Sequence, residues 1–181
     1  ISIICKKLFK ERVTARKQEE VQEIEYGQHY LSLEREEKLE TPLVWIFIDE
    51  GHEFLPREGK TPATDALTQL IKEGRQPGIS LVLATQQPGE IHRDVITQSD
   101  IVISHRVTAK PDIEALNMIN QTYLTSSILS NLNNLPKVKG AAIILDDNSE
   151  RIYSIKVRPK MSWHGGDTPS AVKVKKQILE I

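Results

Sequence analysis

The stretch from Leu43 to His52 constrains the fold of this chain more than any other. Leu43 to Ile48 are six consecutive apolar residues, preceded by Pro42 and followed by Asp49 and Glu50. A short apolar run of this kind reads as a strand buried on both faces, as in a parallel sheet. Ligands of open α/β sheets bind beyond the carboxyl ends of the strands, so Asp49 and Glu50 are expected where chemistry occurs. A buried strand that ends in a solvated acidic turn fits the same residues.

Two further strands are expected. Ile79 to Thr85 (ISLVLAT) is an apolar run ending in Gln86-Gln87-Pro88, and Ile101 to Ser104 is another, ending at His105-Arg106. Between the first two strands, Ala66, Leu67, Leu70 and Ile71 have the spacing of one helix face, and Gly74 and Pro77 stop that helix. Arg75 is left on the turn before the second strand. Gln86, whose amide offers both a donor and an acceptor, is a candidate to sense a ligand through water. The alternative for Gln86 is an ordinary turn. Residues 91–99 read as a short helix. His105 reads as a structural histidine, with no second histidine or cysteine at metal-ligand spacing.

Gly59-Lys60-Thr61 imitates the end of a phosphate-binding loop. The motif requires glycine five positions before Gly59, where this chain has Phe54, and Pro62 follows at once. The better reading is a helix start with Thr61 as N-cap and Pro62 at the first helical position. No G-x-x-x-x-G-K-[ST] occurs anywhere in the sequence.

At 181 residues the chain is long enough for one good core, and its net charge of −1 gives no general affinity for polyanions. The single cysteine, Cys5, excludes an internal disulfide and fits a reducing cytoplasm. No apolar run approaches a membrane span. The first residue is Ile1 rather than methionine, which reads as a piece of a longer or processed protein. Residues 1–18 read as a helix with Ile4, Leu8 and Phe9 on one face. Lys6, Lys7, Lys10, Arg12, Arg16 and Lys17 then read as a solvated basic face, with a DNA-binding face as the alternative. Residues 19–40 read as a glutamate-rich helical insertion or partly disordered excursion, broken near Gly27, His29 and Tyr30.

The order of motifs is specific. Hydrophobic-Asp-Glu-x-His at 48–52, Glu-Gly-Arg at 73–75, Ala-Thr-Gln-x-Pro at 84–88 and Ser-His-Arg at 104–106 together resemble the HerA branch of the HerA/FtsK translocases. In such P-loop nucleotidases the 43–50 stretch is the Walker B strand. The resemblance implies the C-terminal part of a RecA-like P-loop NTPase domain, an α/β fold with a mostly parallel sheet flanked by helices. It implies ATP and Mg²⁺ as cofactors, with Asp49 the Mg²⁺-associated acid and Glu50 the catalytic glutamate. Arg75 takes the place of an arginine finger acting across a subunit interface, and Gln86 that of the sensor glutamine. Arg106 is expected to face nucleotide or a partner subunit. Members are hexameric ATPases. The archaeal HerA proteins move on duplex DNA and act with the nuclease NurA in end processing. The residue between Glu50 and His52 is usually alanine in the family and is Gly51 here.

Residues 111–119 and 125–132 read as helices. Residues 140–145 and 151–157 read as a hairpin closed by Asp146-Asp147-Asn148-Ser149. The hairpin and the segment from Ser162 to Pro169 also resemble HerA-like ATPases. The expected organisation is an N-terminal helix and charged insertion (1–40), the C-terminal portion of the ATPase core (41–160) and an arm at 161–181, which reads as an irregular tail from its residues and as an inter-subunit element by the resemblance. Without a phosphate loop, these residues alone are expected to bind ATP weakly and not to turn it over. Two other readings stay open: a conjugation or secretion ATPase of the same superfamily, and a non-catalytic scaffold that kept the fold.

Overall fold

The structure, a computed structural model, describes residues 1–27, 41–119 and 128–162. In chain order the elements are α1 (Ser2–Gly27), β1 (Val44–Ile48), α2 (Thr64–Glu73), β2 (Ile79–Leu83), α3 (Arg93–Thr97), β3 (Ile101–His105), α4 (Lys110–Ile119), α5 (Ile128–Asn134), β4 (Ala141–Asp146) and β5 (Arg151–Lys156). The strands form two sheets. β1 and β2 pair in parallel, in register from Val44 opposite Ile79 to Ile48 opposite Leu83. β3, β4 and β5 form an antiparallel sheet in that order, so β3 joins the C-terminal hairpin rather than β2.

The expected hairpin is present. Asp146 closes its turn by accepting from the Asn148 N–H at 3.0 Å and the Ser149 hydroxyl at 2.7 Å. At the other end Gly140 has φ +88, and a Cβ there would lie 2.7 Å from the Val157 carbonyl oxygen. Only glycine fits that approach.

One core lies between the β1–β2 pair and helices α1 and α2. Val44, Ile46 and Ile48 of β1 and Ile79, Leu81 and Leu83 of β2 point into it and meet Leu67 and Leu70 of α2 and Cys5 and Phe9 of α1. The opposite face of the pair is uncovered among the described residues. Trp45 is 64% exposed and Phe47 71%, their rings stacked with centroids 6.2 Å apart. The expectation of a strand buried on both faces is therefore corrected. β1 is buried on one face, because both helices that pack against it lie on the same side. A second core joins β3 and β4 to Leu116, Ile128, Leu132 and Leu135.

Two local expectations also change. Helix α2 begins at Thr64, with Ala63 as N-cap, and not at Pro62. The Thr61 hydroxyl accepts from the Ala63 N–H at 3.2 Å and donates to the Phe54 carbonyl at 2.8 Å, so Pro62 and Ala63 form a turn ahead of the helix. Lys60, in the sequence that imitates a phosphate loop, pairs with Asp65 at 2.9 Å. The short helix read over 91–99 is confined to Arg93–Thr97. Of the helix expected at 125–132, residues 125–127 lie outside the described residues, as do His29 and Tyr30, and α5 runs from Ile128 to Asn134.

Helix α1 is longer than 1–18 and ends at Gly27. Its buried stripe is Cys5, Arg12 and Ala15, flanked by Leu8 and Phe9, while Ile4 is 63% exposed. Arg12 is thus no part of a solvated basic face: it is 1% exposed. Its Nε donates to the Pro77 carbonyl at 2.7 Å and its Nη1 to the Thr41 carbonyl at 2.7 Å. Glu19 completes the arrangement at 3.1 Å from Nη1. One guanidinium thereby ties α1 to the entrance of β1 and to the turn that leads into β2. Two loop carbonyls there have no strand partner, and a planar fork of donors suits them better than an ammonium group.

Partial burial raises the Glu19 carboxyl pKa, but hydrogen bonds from Arg12 and Arg16 outweigh it and hold the group below its ordinary value of 4.5. A lowered folded-state pKa stabilises the fold above the unfolded value, and that contribution is lost as pH falls through the folded one. Replacing Arg12 by alanine is expected to cost about 1–3 kcal/mol, since it leaves the Pro77 and Thr41 carbonyls without their donor while Glu19 keeps Arg16. Urea unfolding at neutral pH measures the loss. The wild-type advantage over Arg12→Ala should narrow as the pH is taken below 4.5.

Candidate functional site

Parallel pairing puts the carboxyl ends of β1 and β2 side by side. Asp49, Glu50 and His52 follow β1, and Thr85 and Gln86 follow β2. The backbone continues the pairing past the strands: the Ala84 N–H donates to the Ile48 carbonyl at 2.9 Å, and the Gly51 N–H to the Ala84 carbonyl at 2.8 Å. The two loops are therefore held in fixed register at the edge where α/β sheets bind ligands.

Glu50 sits at φ 48, ψ 49, in the left-handed region that non-glycine residues rarely enter. This bend turns the chain from β1 into a single 3-10 turn at Gly51–Glu53. It also directs the carboxylate toward the β2 loop, where Glu50 Oε1 accepts from Gln86 Nε2 at 2.7 Å. Glu50 Oε2 is buried and has no hydrogen-bond partner among the described residues. His52 Nδ1 lies 3.7 Å from that oxygen and 2.9 Å from the Thr85 hydroxyl. The Thr85 oxygen also accepts from the Gln87 N–H at 3.0 Å. Asp49 is exposed; its Oδ1 accepts from the Glu50 N–H at 2.9 Å, leaving Oδ2 open.

Of the residues singled out in the sequence, Asp49, Glu50 and Gln86 come together here. Arg75 does not join them. It is exposed on the turn before β2, at the opposite end of the parallel pair. The five residues of β2 alone span about 17 Å. Arg75 is thus out of reach of its own Glu50. Arg106 is exposed just past β3, in the other sheet, and makes no hydrogen bond or ion pair among the described residues with this group. His105 is satisfied by the Ala141 carbonyl at 3.0 Å. Sequence reasoning missed His52 and Thr85; the signal was their place one or two residues from Glu50 and Gln86 on adjoining loops.

A carboxylate, a half-free second carboxylate and an amide converge at one sheet edge. Among the described residues no cluster of three or more His, Cys, Asp or Glu is built to hold a metal.

The fold is that of the RecA-like P-loop NTPases, and the chain is HerA-like in sequence. The genome packaging NTPase of Sulfolobus turreted icosahedral virus 2 shares the fold. Its sulfate and AMPPCP complexes match with TM-scores of 0.52 and 0.51 at 22% identity, over 64% of this chain and 53% of theirs. The chain is 24% identical over 160 residues to the DNA double-strand break repair helicase HerA of Pyrococcus furiosus, covering 84% of this chain. It is 30% identical over 80 residues, 44% of this chain, to the probable HerA of Methanocaldococcus jannaschii. A probable helicase of the same archaeon is 26% identical over 133 residues. The chain spans 16% to 27% of the length of these relatives. No protein-family model matches it.

Where the resemblance leads one to expect alanine the chain has Gly51, and the structure leaves room for the larger residue. A Cβ at Gly51 would meet its nearest neighbours at 3.5 Å, an ordinary contact. Gly51→Ala is expected to stabilise the protein by about 0.4–1 kcal/mol by restricting the unfolded chain. Paired denaturation curves for the two proteins check this.

Proposed function

We propose that this chain is the C-terminal part of an ATP-hydrolysing motor that translocates on or unwinds duplex DNA in DNA end processing. The observation that carries the reading is the 2.7 Å contact between Glu50 and Gln86 at the shared carboxyl edge of two parallel strands. Similarity to proteins named as double-strand break repair helicases supports the DNA substrate. β1 is then the Walker B strand. Bound Mg²⁺-ATP would supply the phosphoryl group and the charge neutralisation. Asp49 would hold the metal's hydration shell, Glu50 would orient and deprotonate the attacking water, and Gln86 would read the γ-phosphate.

Arg75 lies at the wrong end of its own sheet for this site, so its role is assigned to a neighbouring copy's nucleotide, as in a ring. The expected assembly is a cytoplasmic homohexamer working with a NurA-type nuclease. Arg106 is assigned to nucleotide or to the subunit boundary. The phosphate loop would come from another part of the same protein.

Steady-state ATP turnover by the full-length protein, with and without linear duplex DNA, tests the reading. DNA should stimulate turnover. Glu50→Gln should lower kcat by about 10²–10⁴-fold, and Arg75→Ala by about 10³-fold or more. Mixing the two variants should restore part of the activity, because one kind of interface in the mixed ring keeps both groups. Turnover by Arg75→Ala near wild type would remove the finger assignment. A full-length protein with no turnover would favour the scaffold reading. The 181-residue chain by itself is expected to bind a fluorescent ATP analogue more weakly than about 1 μM, or about −8 kcal/mol.

A further inference from the structure

Glu50 is held on one side only. Gln86 engages Oε1, while Oε2 is buried without a hydrogen-bond partner among the described residues. A buried carboxylate oxygen in that position is costly unless a neighbouring group compensates. The nearest candidate is His52, whose Nδ1 lies 3.7 Å away and whose side chain is 13% exposed. The ring cannot turn freely, because the same Nδ1 is 2.9 Å from Thr85 Oγ1. Thr85 is itself oriented by the Gln87 N–H, which donates to it at 3.0 Å. On the far side of the ring, Nε2 faces Glu53 Oε1 at 3.6 Å.

We propose that His52 and Thr85 are positioning residues for Glu50, the imidazole Nδ1 setting the direction in which the carboxylate opens. This inference rests on the reading of Glu50 as the group that activates water. A proton on Nδ1 donates to Thr85 and presents its positive edge to Glu50 Oε2. With Gln86 on Oε1, the carboxylate is then bracketed from both sides. The left-handed backbone at Glu50 turns its side chain toward the β2 loop, where these two contacts meet it. Thr85 and Gln86 are adjacent, so displacement of the β2 loop moves both brackets together.

The test is ATP turnover by the full-length protein, measured with saturating duplex DNA. His52→Ala should lower kcat by about 10- to 100-fold, the scale of a misplaced catalytic group, with the KM for ATP changed less than threefold. His52→Asn, whose amide nitrogen stands near the position of Nδ1, should recover most of the loss. His52→Gln, which carries its amide nearer to Nε2, should not. Thr85→Val should resemble His52→Ala, and Thr85→Ser should resemble wild type. Combining His52→Ala with Thr85→Val should cost little more than either change alone, because the two act as a unit.

Equal recovery by Asn and Gln, strictly multiplicative losses, or a His52→Ala kcat within twofold of wild type would each overturn the proposal. The Glu50→Gln control separates the two levels. If that variant retains turnover, the assignment of Glu50 itself fails. If it is inactive while His52→Ala is normal, only the positioning role fails.

Discussion

Parallel pairing of β1 with β2 is the constraint on which the rest of the structure depends. Side chains alternate along a strand, so a shift of one residue would move Val44, Ile46 and Ile48 out of the core and expose them. The same shift would separate Glu50 from Gln86. Burial of the apolar face therefore specifies the geometry of the polar edge. Arg12 reinforces this register from the other end, because its guanidinium joins the chain entering β1 at Thr41 to the turn entering β2 at Pro77. Gly78 completes the junction: its carbonyl accepts from the Val44 N–H at 3.1 Å, and its φ of +78 is a backbone conformation that favours glycine.

The strand cores, the α2 face and the hairpin were legible in the sequence, because each depends on a local pattern. Period, turn residues and a run of β-branched side chains are enough to find Ile79–Leu83 or Ala141–Asp146. Arg12 was not legible. An arginine among lysines on a helix reads as solvated, and only the tertiary approach of two loop carbonyls makes it a buried tie. The exposed face of β1 was hidden for a related reason. Leu43 to Ile48 is apolar on both sides of the pleat, and the sequence does not record which side these residues' own neighbours cover.

That uncovered face has a counterpart in the second sheet, where Ile101 and Ile103 are each 58% exposed. Parallel sheets are ordinarily covered on both faces, and an exposed stacked Trp45–Phe47 pair is out of keeping with a surface meant for water. The relatives are several times longer than this chain. Under the proposed function the remaining part of the core would supply both the second layer and the phosphate loop. One addition would then satisfy the hydrophobic deficit and the catalytic one.

Local violations of folding rules separate the candidate site from the rest of the molecule. Among the described residues, two non-glycine residues have positive φ, Glu50 and Glu150. Glu150 closes a hairpin, where the reversal of the chain accounts for it. Glu50 closes no hairpin. Three buried side-chain polar atoms lack a hydrogen-bond partner among the described residues: Arg12 Nη2, Glu50 Oε2 and Thr68 Oγ1. The first belongs to a guanidinium that already makes strong bonds through Nε and Nη1, and the last is a single hydroxyl on α2. Only Glu50 combines a strained backbone with an unmatched charge-bearing atom, and it does so at the sheet edge where two strands end together. Stability alone would select against both features at one residue. Under the proposed function, their coincidence fits a carboxylate held ready for a reacting partner.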